Sequence, residues 1–272
     1  MNIIIVPIAI LLILIILYLF LICPDMTRRD QMQPFIGQMF AHRGYHNAAK
    51  RVPENSMLAF TKAIEKGYGI ELDVHLTADR QLVVFHDDNI KRICGVDGIV
   101  EHMTFEELQQ YYLSGTFEKM PLFTEVLEHV HGRVPLLIEV KMPGKDTLVC
   151  KYIKEVLDDY KGPFLVESFN SIALNWFRSN APAYLRGQLS PDLVHSKLNS
   201  PLWVRFAVKH LLSNWYCSPD FIAYKLADSH NSGLWLNQHL FKAPLAAWTL
   251  RTPEAIEEAK KNFQMYIFEE KC

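Results

Sequence analysis

Between Phe40 and Glu270 the chain repeats one unit: a short apolar run, a helical stretch, and another apolar run. That alternation constrains the fold more than any other feature, because a parallel neighbour is reached only through a crossover of about a dozen residues or more. NSMLAFTKAIEKG puts Met57, Phe60, Ala63 and Ile64 on one helical face and stops at Gly67. TFEELQQYYL opens with Thr104 and Glu107 in capping-box spacing, and TPEAIEEAKKNF with Thr252 as cap and Pro253 at the first helical position. DTLVCKYIKEVLDDYKG reads as a helix capped by Asp146. One connection breaks the rule. LTADRQ is too short for a crossover, so LVVFHD must return antiparallel as the second arm of a hairpin. Eight strands then remain: FAHRG, IELDV, LLIEVK, FLVESF, YLRGQL, FIAYKL, LAAWTL and MYIFEE. Eight is the count of a closed α/β barrel of the (β/α)8 TIM type, and 272 residues hold one such domain.

Residues 3–23, IIIVPIAILLILIILYLFLIC, carry no charge. As a helix they reach roughly 31 Å, enough to cross a hydrocarbon core of about 30 Å. A cleaved signal peptide would want a basic start and a small-residue cleavage site, whereas MN offers no cation and Phe20-Leu21-Ile22 is bulky. Bulky Ile22 argues equally against lipid attachment at Cys23. The expected organisation is a transmembrane anchor at 1–24, a polar linker at 25–36 and the TIM-barrel domain at 37–272. Arg28 and Arg29 follow the span, so the positive-inside rule puts the barrel of this single-pass membrane protein on the cytoplasmic side. Five dispersed cysteines make neither a disulfide framework nor a CxxC metal cluster. A formal charge of −2 without any basic run excludes a nucleic-acid partner.

Strands of a parallel barrel are buried on both faces and read as unbroken apolar runs. Polar exceptions therefore carry information. His42 and Arg43 end the first strand, Glu71 and Asp73 lie in the second, His86 and Asp87 end the returning hairpin, and Glu139 and Lys141 lie in the third. All fall at C-terminal strand ends, where barrel enzymes place their sites. Period two puts Glu71 and Asp73 on one side of their strand, and Glu139 and Lys141 on one side of theirs. Three buried carboxylates converging on one space need a cation, and oxygen-only donors suit one hard divalent ion, Mg2+ or Ca2+. An ion-pair network, Glu139 with Lys141 and Asp73 with Arg43, is the alternative. Arg43 and Lys141 suit an anionic phosphate, and two histidines suit proton exchange with attacking and leaving groups. The set describes metal-assisted phosphodiester cleavage.

At AHRG (41–44), PENS (53–56), ELDVHLTADRQLVVFHD (71–87), LLIEVK (136–141), ESF (167–169) and AWT (247–249) the sequence resembles the glycerophosphodiester phosphodiesterase family. The pieces occur in family order across nearly the whole chain beyond the apolar run. The resemblance implies a hydrolase that cuts glycerophosphodiesters to an alcohol and sn-glycerol 3-phosphate in lipid metabolism. It implies Glu71, Asp73 and Glu139 as metal ligands, His42 and His86 as the acid/base pair, and Arg43 and Lys141 on the phosphate. Glu54 and Asn55 would belong to the first loop of the site, with an N-cap as the alternative role for Asn55. Phe169 and Trp248 would line the cleft. In such a family a neighbouring substrate hydroxyl attacks phosphorus, and water opens the resulting cyclic phosphate. The chain departs from the pattern at Ser56, where Thr is more usual, and at Glu269 and Glu270, which stand where Thr-Asp is usual. It stops at MYIFEEKC without the family's short closing helix, which bears on the last seam of the barrel. His46 and His75 are extra histidines near the motifs, and His75 is expected to face a loop.

Residues 199–220 fit no simple alternation. Read as one helix from Pro201, they carry a narrow polar stripe and a wide apolar face with Leu202, Trp203, Phe206, Leu211 and Trp215. That face packs on the barrel wall or meets the bilayer. A lysophospholipase D acting on membrane lysophospholipids is the alternative function, since the anchor would hold the mouth near lipid. A catalytically weak barrel binding module, and a different barrel hydrolase or isomerase, are the readings from other classes.

Overall fold

A computed structural model describes residues 2–190 and 201–270. Residues 191–200, including the start of the 199–220 segment, and Cys272 lie outside the described residues. The strands are β1 (Met39–Ala41), β2 (Gly69–Leu76), β3 (Leu82–Val84), β4 (Leu136–Val140), β5 (Phe164–Ser168), β6 (Arg186–Ser190), β7 (Phe221–Lys225), β8 (Leu245–Leu250) and β9 (Met265–Phe268). The helices are α1 (Asn2–Ile22), α2 (Met57–Glu65), α3 (Lys91–Cys94), α4 (Phe105–Leu108), α5 (Phe123–Val130), α6 (Leu148–Leu157), α7 (Ser171–Asn180), α8 (Leu202–Lys209), α9 (Asn214–Cys217), α10 (Ser232–His239) and α11 (Pro253–Lys260). Eight strands run parallel from β1 through β2 and β4 to β9, and β9 pairs back onto β1, closing the barrel. The final seam is thus formed by MYIF itself, with Met39, Phe40 and Ala41 opposite Tyr266, Ile267 and Phe268. β3 stands outside the parallel set, antiparallel to β2, as the short LTADRQ turn requires.

Period two sorts each strand into two populations. Ile70, Leu72, Val74, Ile138, Val140 and Val166 belong to the layer that packs against Phe60, Phe123, Val126, Ile153 and Phe177 of the surrounding helices. The alternate residues Phe40, Leu137, Leu165, Leu189, Phe221, Ala223, Ala246, Met265 and Ile267 make a separate apolar cluster that fills the barrel interior. Gly187 belongs to this inner layer for lack of a side chain, because a Cβ there would stand 2.1 Å from the Phe221 ring. The 25–36 stretch contributes to the same interior: Arg29–Phe35 is a 3-10 turn whose Met32 and Phe35 pack into that cluster. Continued one register step toward the strand C-termini, the inner face becomes polar, and that is where the charged residues of β2, β4 and β5 emerge.

α1 is long and apolar enough to cross a membrane, and its residues 5–17 are exposed. A membrane span and a signal sequence share these properties. Its last turn is fixed to the barrel: Asn214 Nδ2 donates to the Ile22 carbonyl at 2.9 Å, and Phe20 meets Trp215 with ring centroids 6.2 Å apart. Beyond it Arg28 Nε donates to Asp220 Oδ1 at 2.8 Å, while Asp220 Oδ2 accepts the Arg186 backbone N–H at 2.8 Å. Asp220 and Arg186 sit at the N-terminal ends of β7 and β6, so the apolar helix joins the barrel at the end opposite the strand C-termini. The single helix expected from Pro201 is broken in two. α8 ends at Lys209, Leu211 takes a left-handed φ of 60°, and α9 restarts at Asn214. The break turns Val208 and Leu211 inward while Leu202, Trp203 and Phe206 stay exposed.

The N-caps are local chemistry read out directly. Thr104 and Glu107 form the expected capping box, and Thr252 caps α11 with Pro253 following. α6 differs slightly: Thr147 is the cap position, and Asp146 accepts the Leu148 N–H at 3.0 Å. Ser56, not Asn55, caps α2, its Oγ accepting the Ala59 N–H at 3.1 Å and donating to the Pro53 carbonyl at 2.7 Å. Ser56→Ala is expected to cost about 1 kcal/mol of stability, read as a lowered denaturant midpoint; an unchanged midpoint would remove the cap from this account.

Candidate active site

At the C-terminal end of the barrel, β2 and β4 lie side by side with Asp73 opposite Glu139. Glu71, Asp73 and Glu139 each offer an oxygen, and those oxygens lie within 4.8 Å of one another, all three residues buried. Arg43 backbone N–H donates to Glu71 Oε2 at 2.8 Å, and Asn55 Nδ2 to Asp73 Oδ2 at 2.8 Å. Lys141 Nζ reaches Glu139 Oε1 at 2.6 Å and Asp73 Oδ1 at 2.9 Å, and Arg43 Nε lies 3.7 Å from Asp73 Oδ2. The ion pairs anticipated as an alternative to a metal site are therefore both present, around the same carboxylates. They do not neutralise the cluster. Burial and the charges of Asp73 and Glu139 push Glu71 well above the usual carboxylate range, and burial pushes Glu139 up to about 7. Asp73, despite its burial, is held low by Lys141, His86 and Arg43. Adjacent buried carboxylates resist sharing ionisation, and an all-oxygen donor set of this kind fits a hard divalent cation.

Two backbone positions hold the loop that frames this cluster. Arg43 and Asn55 both adopt left-handed φ, 56° and 52°, and Asn55 N–H donates to the Arg43 carbonyl at 2.9 Å. Non-glycine residues persist in that region where their surroundings over-determine them, commonly at functional sites. Here the strain aims one backbone donor and one side-chain amide at two carboxylates. Asn55 thus serves the site, and the capping role considered for it belongs to Ser56.

The histidines arrive from two sides. His42 follows β1, and the β2–β3 hairpin returns the chain so that Phe85 N–H donates to the Asp73 carbonyl at 3.0 Å, leaving His86 beside Asp73. Each imidazole is clamped at Nδ1 by a carboxylate: His42 by Glu269 Oε1 at 2.6 Å and His86 by Asp87 Oδ1 at 2.6 Å. Arg251 holds both oxygens of Glu269, at 2.6 and 3.0 Å. Arg92 Nε holds Asp87 Oδ2 at 2.6 Å, and the same guanidinium grips both oxygens of Glu54, whose Oε1 also accepts Arg43 Nη1 at 2.7 Å. Burial would raise Glu269, but His42 and Arg251 pull it far below the usual range, so it is an ionised acceptor. An imidazole beside such an acceptor carries its proton on Nδ1 and leaves the Nε2 lone pair free. Burial lowers the proton affinity of both histidines, and the neighbouring carboxylates oppose that shift. His75, expected to face a loop, is instead fully buried in β2 and directs Nε2 toward the His86 carbonyl at 3.3 Å. The pairing of β3 against β2 covers it.

A cavity of about 480 Å3 opens over these groups, lined by His42, Arg43, Glu71, His86 and Glu139 and walled by Phe169 and Trp248, whose rings meet edge-on at 5.7 Å. Asp73 lies beneath it, with Lys141, Glu54 and Asn55 as its supports. The structure therefore gathers all eleven residues singled out from sequence into or directly behind one cavity. Sequence reading missed Glu167, which lines it from β5, although a carboxylate interrupting FLVESF is the same signal that exposed Glu71 and Glu139. It also missed Glu269, Arg251 and Arg92, for which sequence offers no comparable signal.

The profile of the "Glycerophosphoryl diester phosphodiesterase family" matches residues 42–266. The chain belongs to this family. Membership places the chain among phosphoric diester hydrolases. A "Glycerophosphodiester phosphodiesterase" of Bacillus altitudinis is 33% identical over 173 residues, 58% of this chain and 68% of that protein. The rat "Lysophospholipase D GDPD1" is 31% identical over 157 residues, 53% of this chain, which spans about half, 48%, of that protein's length. The barrel resembles an Oleispira antarctica phosphodiesterase solved in complex with the product sn-glycerol-3-phosphate, with a TM-score of 0.70, 22% identity, and 87% and 94% of the two chains covered. At that identity the likeness speaks for the shared barrel.

The clamp on His42 generates an expectation of known sign. Glu269 raises the affinity of this imidazole for a proton, so Glu269→Gln should lower the pH at which His42 protonates in EDTA-treated protein. NMR titration of the His42 ring would read the shift, and an unchanged or raised midpoint would contradict the clamp.

Proposed function

We propose that this chain is a metal-dependent glycerophosphodiesterase, hydrolysing glycerophosphodiesters to an alcohol and sn-glycerol 3-phosphate in lipid metabolism. One observation carries the reading: a cluster of three buried carboxylates, with Lys141 and Arg43 against it, lies in and directly beneath a cavity lined by two histidines, each held at Nδ1 by a carboxylate. Glu71, Asp73 and Glu139 would hold one divalent cation, Mg2+ or Ca2+. When bound, such an ion polarises a phosphoryl oxygen and offsets transition-state charge. Arg43 and Lys141, pre-positioned by Glu54, Asp73 and Glu139, would orient the phosphate. The free Nε2 of one histidine takes the proton of an attacking hydroxyl. The other, protonated, gives its proton to the alcohol oxygen as the P–O bond breaks. With a glyceryl hydroxyl attacking, a cyclic phosphate forms, and water opens it with the histidine roles exchanged. Phe169 and Trp248 would wall the organic part of the substrate.

We assign residues 1–24 to a membrane anchor, 25–36 to its connection and 37–272 to the hydrolase domain. The exposed apolar surface of α1 supports the anchor, and Arg28 and Arg29 after it support a cytoplasmic barrel. A lysophospholipase D activity is the second reading, favoured by the name of the rat relative; the helix does not hold the cavity mouth near lipid as expected from sequence, because it joins the barrel at the end opposite the cavity.

Full-length protein in detergent with Mg2+ is expected to release glycerol 3-phosphate from glycerophosphocholine, and EDTA to abolish release. Product from no glycerophosphodiester, with the metal bound, would defeat the first reading. Choline released from lysophosphatidylcholine would establish the second. His42→Ala and His86→Ala should each lower kcat about 100-fold with the fold intact, checked by steady-state kinetics beside circular dichroism. Wild-type turnover in either variant would remove that histidine from the chemistry.

A further inference from the structure

Among the described residues, Glu167 is the one acid of the cavity that neither the cation cluster nor a clamp accounts for. It lies on β5 directly opposite Glu139, in a register row that runs Asp73, Glu139, Glu167 across three neighbouring strands. It is 1% exposed and lines the cavity, and its Oε2 is buried without a hydrogen-bond partner among the described residues. The Trp248 Nε1–H, a donor on the same wall, is likewise buried without a partner. Buried polar atoms are nearly always satisfied, and an orphan in a cavity is best explained by a ligand that supplies what it lacks. A carboxyl oxygen that lacks a partner fits a hydroxyl, which can donate to it or accept from it.

Position decides which hydroxyl. The groups that would grip the phosphate, Arg43 after β1 and Lys141 after β4, both meet Asp73 of β2, and neighbouring strands are spaced about 4.8 Å apart. Glu167 stands one strand further along. A hydroxyl on the carbon next to the phosphate ester would remain among the histidines. One on the following carbon extends toward β5. We propose that Glu167 is a specificity residue that accepts a hydrogen bond from the terminal hydroxyl of the substrate's glyceryl group, opposite the Trp248 N–H. This rests on the glycerophosphodiesterase reading.

The test measures binding, so it does not depend on turnover. Full-length protein in detergent, loaded with Mg2+, is titrated calorimetrically with sn-glycerol 3-phosphate and with propane-1,2-diol 1-phosphate, which lacks only the terminal hydroxyl. The expected preference for the first is about tenfold, the scale of one hydrogen bond. Glu167→Met should reduce that preference to within twofold, and Glu167→Gln, which keeps an acceptor, should restore part of it. Mn2+ affinity, read by electron paramagnetic resonance, should be the same in wild type and both variants. Equal affinity of wild-type protein for the two ligands would overturn the assignment while leaving the function reading intact. So would a preference retained in Glu167→Met, or a fall in Mn2+ affinity, which would make Glu167 a cation ligand. Wild-type protein that binds Mn2+ but neither phosphate would overturn both.

Discussion

Three carboxylates forced together where water is scarce are the constraint around which the upper half of this barrel is arranged. Glu71, Asp73 and Glu139 converge because β2 and β4 are parallel and in register with Asp73 opposite Glu139. Burial leaves two of them with elevated proton affinity, while Asp73 beneath is held ionised by the cations around it. The surroundings answer that charge in three ways: Lys141 and Arg43 approach as fixed cations, Asn55 and the Arg43 backbone donate hydrogen bonds, and two strained loop residues keep those donors aimed. A structure built only for stability would place apolar side chains here, since breaking even with buried charge requires near-complete pairing. Retaining an incompletely neutralised cluster is a functional signature.

Around this centre the histidines are held by a network whose parts come from the far ends of the sequence. Arg92 joins Asp87 to Glu54, and Glu54 joins Arg92 to Arg43, so one guanidinium on the short helix after the hairpin links the His86 clamp to Arg43. On the opposite side Arg251 holds Glu269, which clamps His42. The two clamps hold equivalent nitrogens, and both rings line one cavity, an arrangement that suits the acid and base roles proposed for them.

The lower half of the barrel is chemically inert and mechanically important. Its interior is closed by apolar layers that include Met32 and Phe35, and the base of α1 is bolted there through Asn214, Arg28 and Asp220. α1 and the cavity therefore lie at opposite ends of the barrel axis. Leu202, Trp203 and Phe206 on α8 are exposed.

Much of this was legible in the chain before any coordinates. Alternation and one too-short turn gave the barrel and its hairpin, because crossover length is a local property. Period two exposed the carboxylates, since a charge inside an otherwise apolar strand is an anomaly that sequence displays. The same signal was available for Glu167 and passed unread. The tether at 25–36, the break at Leu211 and the burial of His75 were decided elsewhere: each depends on what packs opposite, and a strand partner or a barrel floor leaves no mark on the residues it covers. The role of Glu269 is the clearest case. In the sequence it was a mismatch at the end of the last strand, 227 residues from His42. Only closure of β9 onto β1 made it a neighbour, because a barrel joins the two ends of its sheet, and the spacing of residues along a chain cannot record which ends will meet.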